Sequence, residues 1–193
     1  HPIPSRRPPA SVLSVQATDD GAHPSPGAGM CRRRTGYIRS GHRGGAFSLT
    51  GDVFLMLPED RFVFGLSAFF LAHVAYIVAF LPGTAPISSV WPVLLLGIFV
   101  IAMTAVLWPH VGSLRWPVLA YEIVIVSMAW CAWERWAQTG QAGALLALVG
   151  GLLFVVSDSV LALDRFARPF ARAGAVVLGT YYGAQWLIAM SVR

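Results

Sequence analysis

Four ionisable side chains interrupt apolar stretches of this sequence: Asp52, His73, Glu122 and Asp158. A charge in the interior of a bilayer costs at least about 2.5 kcal/mol, so each of these residues needs a partner or a function. Two carboxylates that share a site of low dielectric constant are not expected to be ionised together. Such a pair would hold one proton between them, which is the arrangement that general acid catalysis beside an anionic group requires.

The composition places the chain among membrane proteins. Of its 193 residues, 56% are hydrophobic and only 12% are charged, and the mean hydropathy is +0.64. A soluble domain of this size needs more polar surface. The sequence has 14 arginines and no lysine. We attribute this bias to the coding sequence, so the excess of positive charge does not predict a nucleic-acid partner. The spacing of the two cysteines indicates neither a metal site nor a disulfide framework.

The apolar runs predict a series of membrane helices with short connections. The predicted helices are 44–57, 62–81, 90–108, 116–136, 142–163 and 170–191. The last five approach the length of about 20 residues that crosses about 30 Å of hydrocarbon. The first is shorter and resembles the end of a longer span. The predicted fold class is therefore an all-α, polytopic transmembrane helix bundle with about five full spans and a partial first one, located in a bacterial inner (plasma) membrane.

Residues 1–43 differ in composition from residues 44–193. The first segment is rich in Pro, Gly, Arg and Ser and has no apolar periodicity, which predicts a disordered basic tail before the transmembrane domain. The apolar pattern starts abruptly at Ala46, so we expect upstream helices to be missing and regard Met30 as a candidate internal start. The orientation of the helices in the membrane stays open. The positive-inside rule places one end of the bundle in the cytoplasm if the arginines of the tail are counted, and the other end if they are not.

The positions of the polar residues along these helices predict that they lie at similar depths in the membrane and close together. Asp52 lies near the end of the first helix and Asp158 near the end of the fifth, on the same side of the membrane. Both are roughly 8 Å below that surface, as is Glu122 at the start of the fourth helix. His73 and Tyr181 lie roughly 16 Å deep. The sequence therefore predicts a pocket with an aromatic wall and a few polar side chains.

Each polar residue also has a structural interpretation. Asp52 could form a local hydrogen bond, and Asp158 could pair with Arg165 in the loop that follows its helix. His73 could be a core histidine, and Glu122 could lie close enough to the surface to be solvated. In a non-enzymatic alternative, the aspartates would form a proton relay in a small transporter or a polar clamp between helices. A transporter should show an internal repeat with broken helices, and none is evident.

Other hydrolase classes fit the sequence less well. Only His73 lies inside a predicted span, whereas a catalytic zinc site usually has three protein ligands with histidine prominent. No Gly-x-Ser-x-Gly motif marks a serine nucleophile. Intramembrane aspartyl proteases carry Gly-x-Gly-Asp, and Leu49 occupies the first glycine position here. No metal and no organic cofactor is predicted.

Several segments resemble the signatures of the YhhN-like membrane family, which includes lysoplasmalogenases. These segments are "SLTGDVFLMLPEDRFVFGLSAFFLAHVAYIVAF", "PVLAYEIVIVSMAW", "LLFVVSDSVLALDRF" and "LGTYYGAQWLI", in the family's order. The resemblance covers Ala46 to Met190. It implies a polytopic bundle of about eight helices, of which the first spans are absent here.

The resemblance also implies an activity, the hydrolysis of the vinyl-ether bond of a lysoplasmalogen to a fatty aldehyde and a glycerophospho-base. The membrane would then supply the lysophospholipid substrate. Vinyl ethers are hydrolysed through an oxocarbenium ion, and a pair of carboxylates suits that chemistry. We therefore expect Asp52 and Asp158 to be the acid and the base or stabiliser, in an order that the sequence leaves open.

The remaining candidate site residues would bind or orient the substrate. His73, Tyr76, Tyr181 and Gln185 would orient water or the glycerol hydroxyl, and Arg165 could hold the phosphate. Two further residues complete the predicted substrate site, namely Glu122 and Tyr182. Headgroup, chain length and oligomeric state stay open at this stage.

Overall fold

The chain folds into a bundle of α-helices, as predicted. The computed structural model describes residues 26–56, 62–81, 88 and 90–191, and no strand occurs among them. The helices are α1 (Pro26–Met56), α2 (Phe62–Phe80), α3 (Trp91–Leu107), α4 (Arg115–Thr139), α5 (Ala142–Ala162) and α6 (Ala173–Ser191). A short 3₁₀ turn, Gly112–Leu114, precedes α4, and a π-helical turn, Leu163–Ala167, follows α5.

Three of the described helical segments are long and apolar enough to cross a membrane. They are Phe62–Phe80, Gly112–Thr139 and Ala142–Ala167, and the apolar helix Trp91–Leu107 is shorter. Many large apolar side chains lie exposed on the outside of the bundle, as expected for surfaces that face lipid. The protein is thus an integral membrane protein with an all-α transmembrane domain.

The start of α1 differs from the prediction. The helix begins at Pro26 and not near residue 44, so residues 26–43 are helical where a disordered tail was predicted. Tertiary contacts explain the difference: the Tyr37 hydroxyl lies 2.8 Å from Ser191 Oγ of α6, and the Arg135 guanidinium lies 3.9 Å from the centre of the Tyr37 ring. Such contacts can stabilise a helix that lacks an apolar stripe of its own. Residues 1–25 and the predicted helix end at residue 57 lie outside the described residues.

Glycines bring neighbouring helices close together around the core. α1 packs along α2, α5 packs along α6, and α4 lies against both α2 and α5. A Cβ atom at Gly51 of α1 would lie 2.7 Å from the ring of Phe69 on α2, and one at Gly150 of α5 would lie 3.0 Å from the Ala184 carbonyl oxygen on α6. Both contacts require the absence of a side chain. This close packing surrounds the cavity that contains the two aspartates.

Candidate active site

The two aspartates open into one cavity near the end of α5. Asp52 reaches this cavity from α1 and Asp158 from α5, and side chains of α2, α4 and α6 complete the wall. The cavity has a volume of about 200 Å³, and most of its lining is aliphatic or aromatic. Besides the carboxylates, the polar groups in the wall are the side chains of Tyr121, Ser157, Tyr181 and Tyr182.

Each aspartate is hydrogen-bonded to a tyrosine from a facing helix. The Tyr181 hydroxyl on α6 donates a hydrogen bond of 2.7 Å to Asp52 Oδ2 on α1. The Tyr121 hydroxyl on α4 donates to Asp158 Oδ2 on α5. A carboxylate in an apolar wall needs such a donor, because an unpaired polar group costs several kcal/mol in hydrocarbon.

Tyr121 was absent from the residues predicted from the sequence. It directly precedes Glu122 in the segment "LAYEI", so depth counting would have placed it level with Asp158. Its neighbour Glu122 faces elsewhere: Thr104 of α3 donates a hydrogen bond of 2.8 Å to Glu122 Oε2, and only 7% of Glu122 is exposed. Adjacent residues point about 100° apart around a helix, and this separates Glu122 from the predicted site.

A second row of polar groups lies behind Tyr181. Gln185 Nε2 donates a hydrogen bond of 3.1 Å to the Tyr181 hydroxyl, and the Tyr76 hydroxyl donates one of 3.0 Å to Gln185 Oε1. Tyr76 is buried, with 1% of its surface exposed. Tyr76 and Gln185 therefore lie behind the cavity wall and contact Asp52 only through Tyr181.

His73 is a buried residue of the aromatic core. Its ring centre lies 5.0 Å from that of Phe154, 5.5 Å from that of Tyr121 and 6.5 Å from that of Tyr76, in edge-on arrangements. The histidine thus packs behind Tyr121 and is separated from the cavity by it. Neither ring nitrogen has a hydrogen-bond partner of good geometry among the described residues, so a purely structural role for His73 stays a prediction.

Arg165 lies at the rim of the cavity. The π-helical turn after α5 carries it, and its guanidinium stacks 4.0 Å from the centre of the Phe62 ring. Phe62 and Phe166 pack edge to face at 5.5 Å, and both line the cavity. Tyr182 also lines the cavity, and 56% of it is exposed. A cation and an exposed phenol therefore flank the entrance to the apolar cavity.

The serine hydroxyls on either side of Asp158 form hydrogen bonds to backbone carbonyls. Ser157 donates a hydrogen bond of 3.2 Å to the carbonyl of Val177 on α6. Ser159 donates one of 2.5 Å to the carbonyl of Val155 in its own helix. Both hydroxyls are thus used in packing and local bonding, and Asp158 takes its hydrogen bond from Tyr121.

Comparison with known proteins identifies relatives across most of the chain. The family model described as the YhhN family matches residues 34–192. The YhhN membrane protein of Escherichia coli O157:H7 is 31% identical over 146 residues, which are 75% of this chain and 70% of that protein. Human lysoplasmalogenase TMEM86B is 40% identical over 147 residues, and human lysoplasmalogenase TMEM86A is 33% identical over 160 residues. The match spans only 59% and 61% of these two human proteins, and no solved structure matches.

Proposed function

The chain belongs to the YhhN family, and we propose that it is a membrane hydrolase that cleaves the vinyl-ether bond of lysoplasmalogens. The products are a fatty aldehyde and a glycerophospho-base. The observation that carries the proposal is the meeting of Asp52 and Asp158 in one apolar cavity. The relatives that are named lysoplasmalogenases add support.

The carboxylate pair suits each stage of this reaction. A carboxylic acid protonates the β-carbon of the vinyl ether, and the substrate becomes an oxocarbenium ion. The second carboxylate stabilises this cation and accepts a proton from the water that adds to it. The resulting hemiacetal collapses to the aldehyde and the glycerol hydroxyl. Glycosidases likewise form an oxocarbenium-like transition state between two carboxyl groups.

The surroundings of the carboxylates suit a lysophospholipid. The apolar wall accommodates the alkenyl chain, because aliphatic and aromatic side chains contact a hydrocarbon more favourably than they contact water. In the proposed complex Arg165, which stacks on Phe62 at the rim, binds the phosphate, for which a guanidinium is well suited. In this arrangement the lipid enters from the leaflet of a bacterial plasma membrane, with its headgroup at the rim and its vinyl ether beside Asp52 and Asp158.

Replacement of each aspartate by asparagine tests the proposal. Asparagine keeps an oxygen that accepts the tyrosine hydrogen bond but can neither donate nor store the catalytic proton. We expect Asp52→Asn and Asp158→Asn each to lower aldehyde release from lysoplasmenyl-ethanolamine at least about 100-fold. Asp164→Asn is the matched control, because Asp164 accepts a backbone hydrogen bond from Phe170 in the turn after α5. Wild-type turnover in both cavity variants would contradict the proposal.

A further inference from the structure

The two tyrosine–aspartate pairs differ in what supports the tyrosine. The Tyr181 hydroxyl both donates to Asp52 and accepts from Gln185. Among the described residues, the Tyr121 hydroxyl has a hydrogen bond to Asp158 alone. Its surroundings are rings, with His73 edge-on at 5.5 Å. The cavity is therefore asymmetric, although each carboxylate has one phenol as its neighbour.

The direction of each hydrogen bond behind Asp52 follows from the orientation of the Gln185 amide, whose Nε2 faces Tyr181 and whose Oε1 faces Tyr76. An amide NH₂ group only donates, so Tyr181 receives the hydrogen bond of Gln185 and must direct its own proton to Asp52. An amide oxygen only accepts, so Tyr76 must donate to Gln185. All three hydrogen bonds therefore point towards Asp52. Hydrogen bonds in such a chain polarise one another, and a chain of donors stabilises a negative charge at its end.

Within the part of the chain that the structure describes, no comparable chain of hydrogen bonds fixes the proton of Tyr121. If Asp158 is neutral, its O–H can donate to the Tyr121 oxygen, because a phenol both donates and accepts. The apolar wall also favours a neutral carboxyl group over a charged one. Since two carboxylates in one apolar cavity do not ionise together, a charge held on Asp52 leaves the proton on Asp158.

We propose that Asp158 is the proton donor and Asp52 the carboxylate, and that Gln185 and Tyr76 are positioning residues that keep Asp52 ionised through Tyr181. The reaction steps that follow from this assignment rest on the proposed function. The protonation states themselves can be measured without substrate.

The assignment gives a closed cycle of protons. The Asp158 O–H bond breaks as its proton forms a C–H bond at the β-carbon of the vinyl ether. Water adds its oxygen to the oxocarbenium carbon and gives one proton to the Asp52 carboxylate. In the collapse of the hemiacetal, Asp52 returns that proton to the departing glycerol oxygen as the C–O bond breaks. The hemiacetal hydroxyl gives its proton to Asp158, and both carboxyl groups regain their starting states.

Infrared spectroscopy of the full chain in detergent tests the protonation states directly. A protonated carboxylic acid has a C=O stretching band that is distinct from the bands of a carboxylate. We expect one such band from the cavity, retained in Asp52→Asn and lost in Asp158→Asn. A band that is lost in Asp52→Asn and retained in Asp158→Asn would overturn the assignment. Because no substrate is present, this result is independent of whether the protein hydrolyses lysoplasmalogens.

Removal of the donor chain tests the role of the positioning residues. In Gln185→Leu we expect a second carboxylic acid band, because Tyr181 loses the donor that strengthens its own hydrogen bond to Asp52. We also expect a kcat for aldehyde release that is about tenfold lower, with little change in KM. Tyr76→Phe removes only the far donor, the hydrogen bond from α2 to Gln185 on α6, and keeps the aromatic ring in the core. It should lower kcat about threefold. The smaller change keeps the test valid should Gln185→Leu fail to fold.

Thr180→Val is the matched control on the same helix. Thr180 precedes Tyr181, and its hydroxyl donates to the carbonyls of Val176 and Val177 in its own helix, which are its hydrogen bonds to described residues. This variant should keep one carboxylic acid band and the wild-type kcat. Unchanged infrared spectra and kcat values in both Tyr76→Phe and Gln185→Leu would overturn the role of the chain. If those spectra change but no variant or wild-type sample releases aldehyde, the donor chain is supported and the proposed function fails.

Discussion

At the residue scale, each cavity aspartate has a proposed chemical role and also forms a contact between helices. The hydrogen bond from Tyr181 joins α6 to Asp52 on α1, and the one from Tyr121 joins α4 to Asp158 on α5. A polar clamp and a catalytic pair would both keep these bonds. Asparagine separates the two roles, because it preserves the acceptor oxygen and removes the transferable proton. A clamp predicts reduced stability in the asparagine variants, because a neutral acceptor forms a weaker hydrogen bond than a carboxylate does. A catalytic pair predicts folded but inactive protein.

Replacement of Arg165 by glutamine tests the headgroup contact at the same scale. If the guanidinium at the rim binds the phosphate in both the ground state and the transition state, Arg165→Gln raises KM about tenfold and leaves kcat unchanged. The measurement is the steady-state kinetics of aldehyde release. Arg168→Gln is the control, because Arg168 is exposed just beyond the same turn. Equal KM values for the two variants would contradict a specific role for Arg165.

Sequence reasoning located the carboxylates but not all of their neighbours. Depth counting is set by the constant rise of a helix, so it predicted that Asp52 and Asp158 lie on the same side of the membrane. It gave Glu122 the same depth but could not predict which way the Glu122 side chain points. That direction depends on the position of α3, whose Thr104 donates a hydrogen bond to Glu122. It omitted Tyr121 because a tyrosine in a membrane helix is unremarkable until its partner is known.

At the element scale, the position of α1 against α2 determines the geometry of Asp52. A Cβ atom at Gly44 would overlap the ring of Tyr76, and one at Gly51 would overlap the ring of Phe69. Both rings belong to the aromatic core that supports Tyr181. The start of α1 could not be predicted, because its contacts with Ser191 and Arg135 are distant in sequence and residues 26–43 lack apolar periodicity.

Substitution of the glycines of α1 tests this packing. Gly44→Ala displaces the Tyr76 ring and the hydrogen bond to Gln185, so we expect it to lower the stability by about 1–3 kcal/mol and to reduce turnover. Gly45→Ala is the neighbouring control, since its nearest contact would be the Tyr76 hydroxyl at 3.9 Å. Both changes gain the same helix propensity. Thermal unfolding in detergent should therefore give a lower midpoint for Gly44→Ala alone, and equal midpoints would contradict the close approach of the two helices.

At the scale of the whole molecule, the bundle has an apolar exterior and encloses a cavity whose apolar wall carries two carboxylates. The segments Phe62–Phe80, Gly112–Thr139 and Ala142–Ala167 can each cross a membrane, and all three contribute to the cavity wall. Composition and hydrophobic runs were sufficient to predict this all-α membrane class, because in lipid a helix satisfies its backbone hydrogen bonds within one segment. The match with human TMEM86B spans 75% of this chain and 59% of that protein.

The configuration of deuterium in the product tests most directly whether a positioned carboxylic acid protonates the vinyl ether. The purified protein is incubated with lysoplasmenyl-ethanolamine in deuterated water, and the aldehyde that is released is reduced to the alcohol at once, before it can exchange. The account predicts one deuterium at the carbon next to the former aldehyde, in a single configuration, because an acid fixed in the cavity delivers it to one face. Equal amounts of both configurations, or no aldehyde above the protein-free control, would contradict the account.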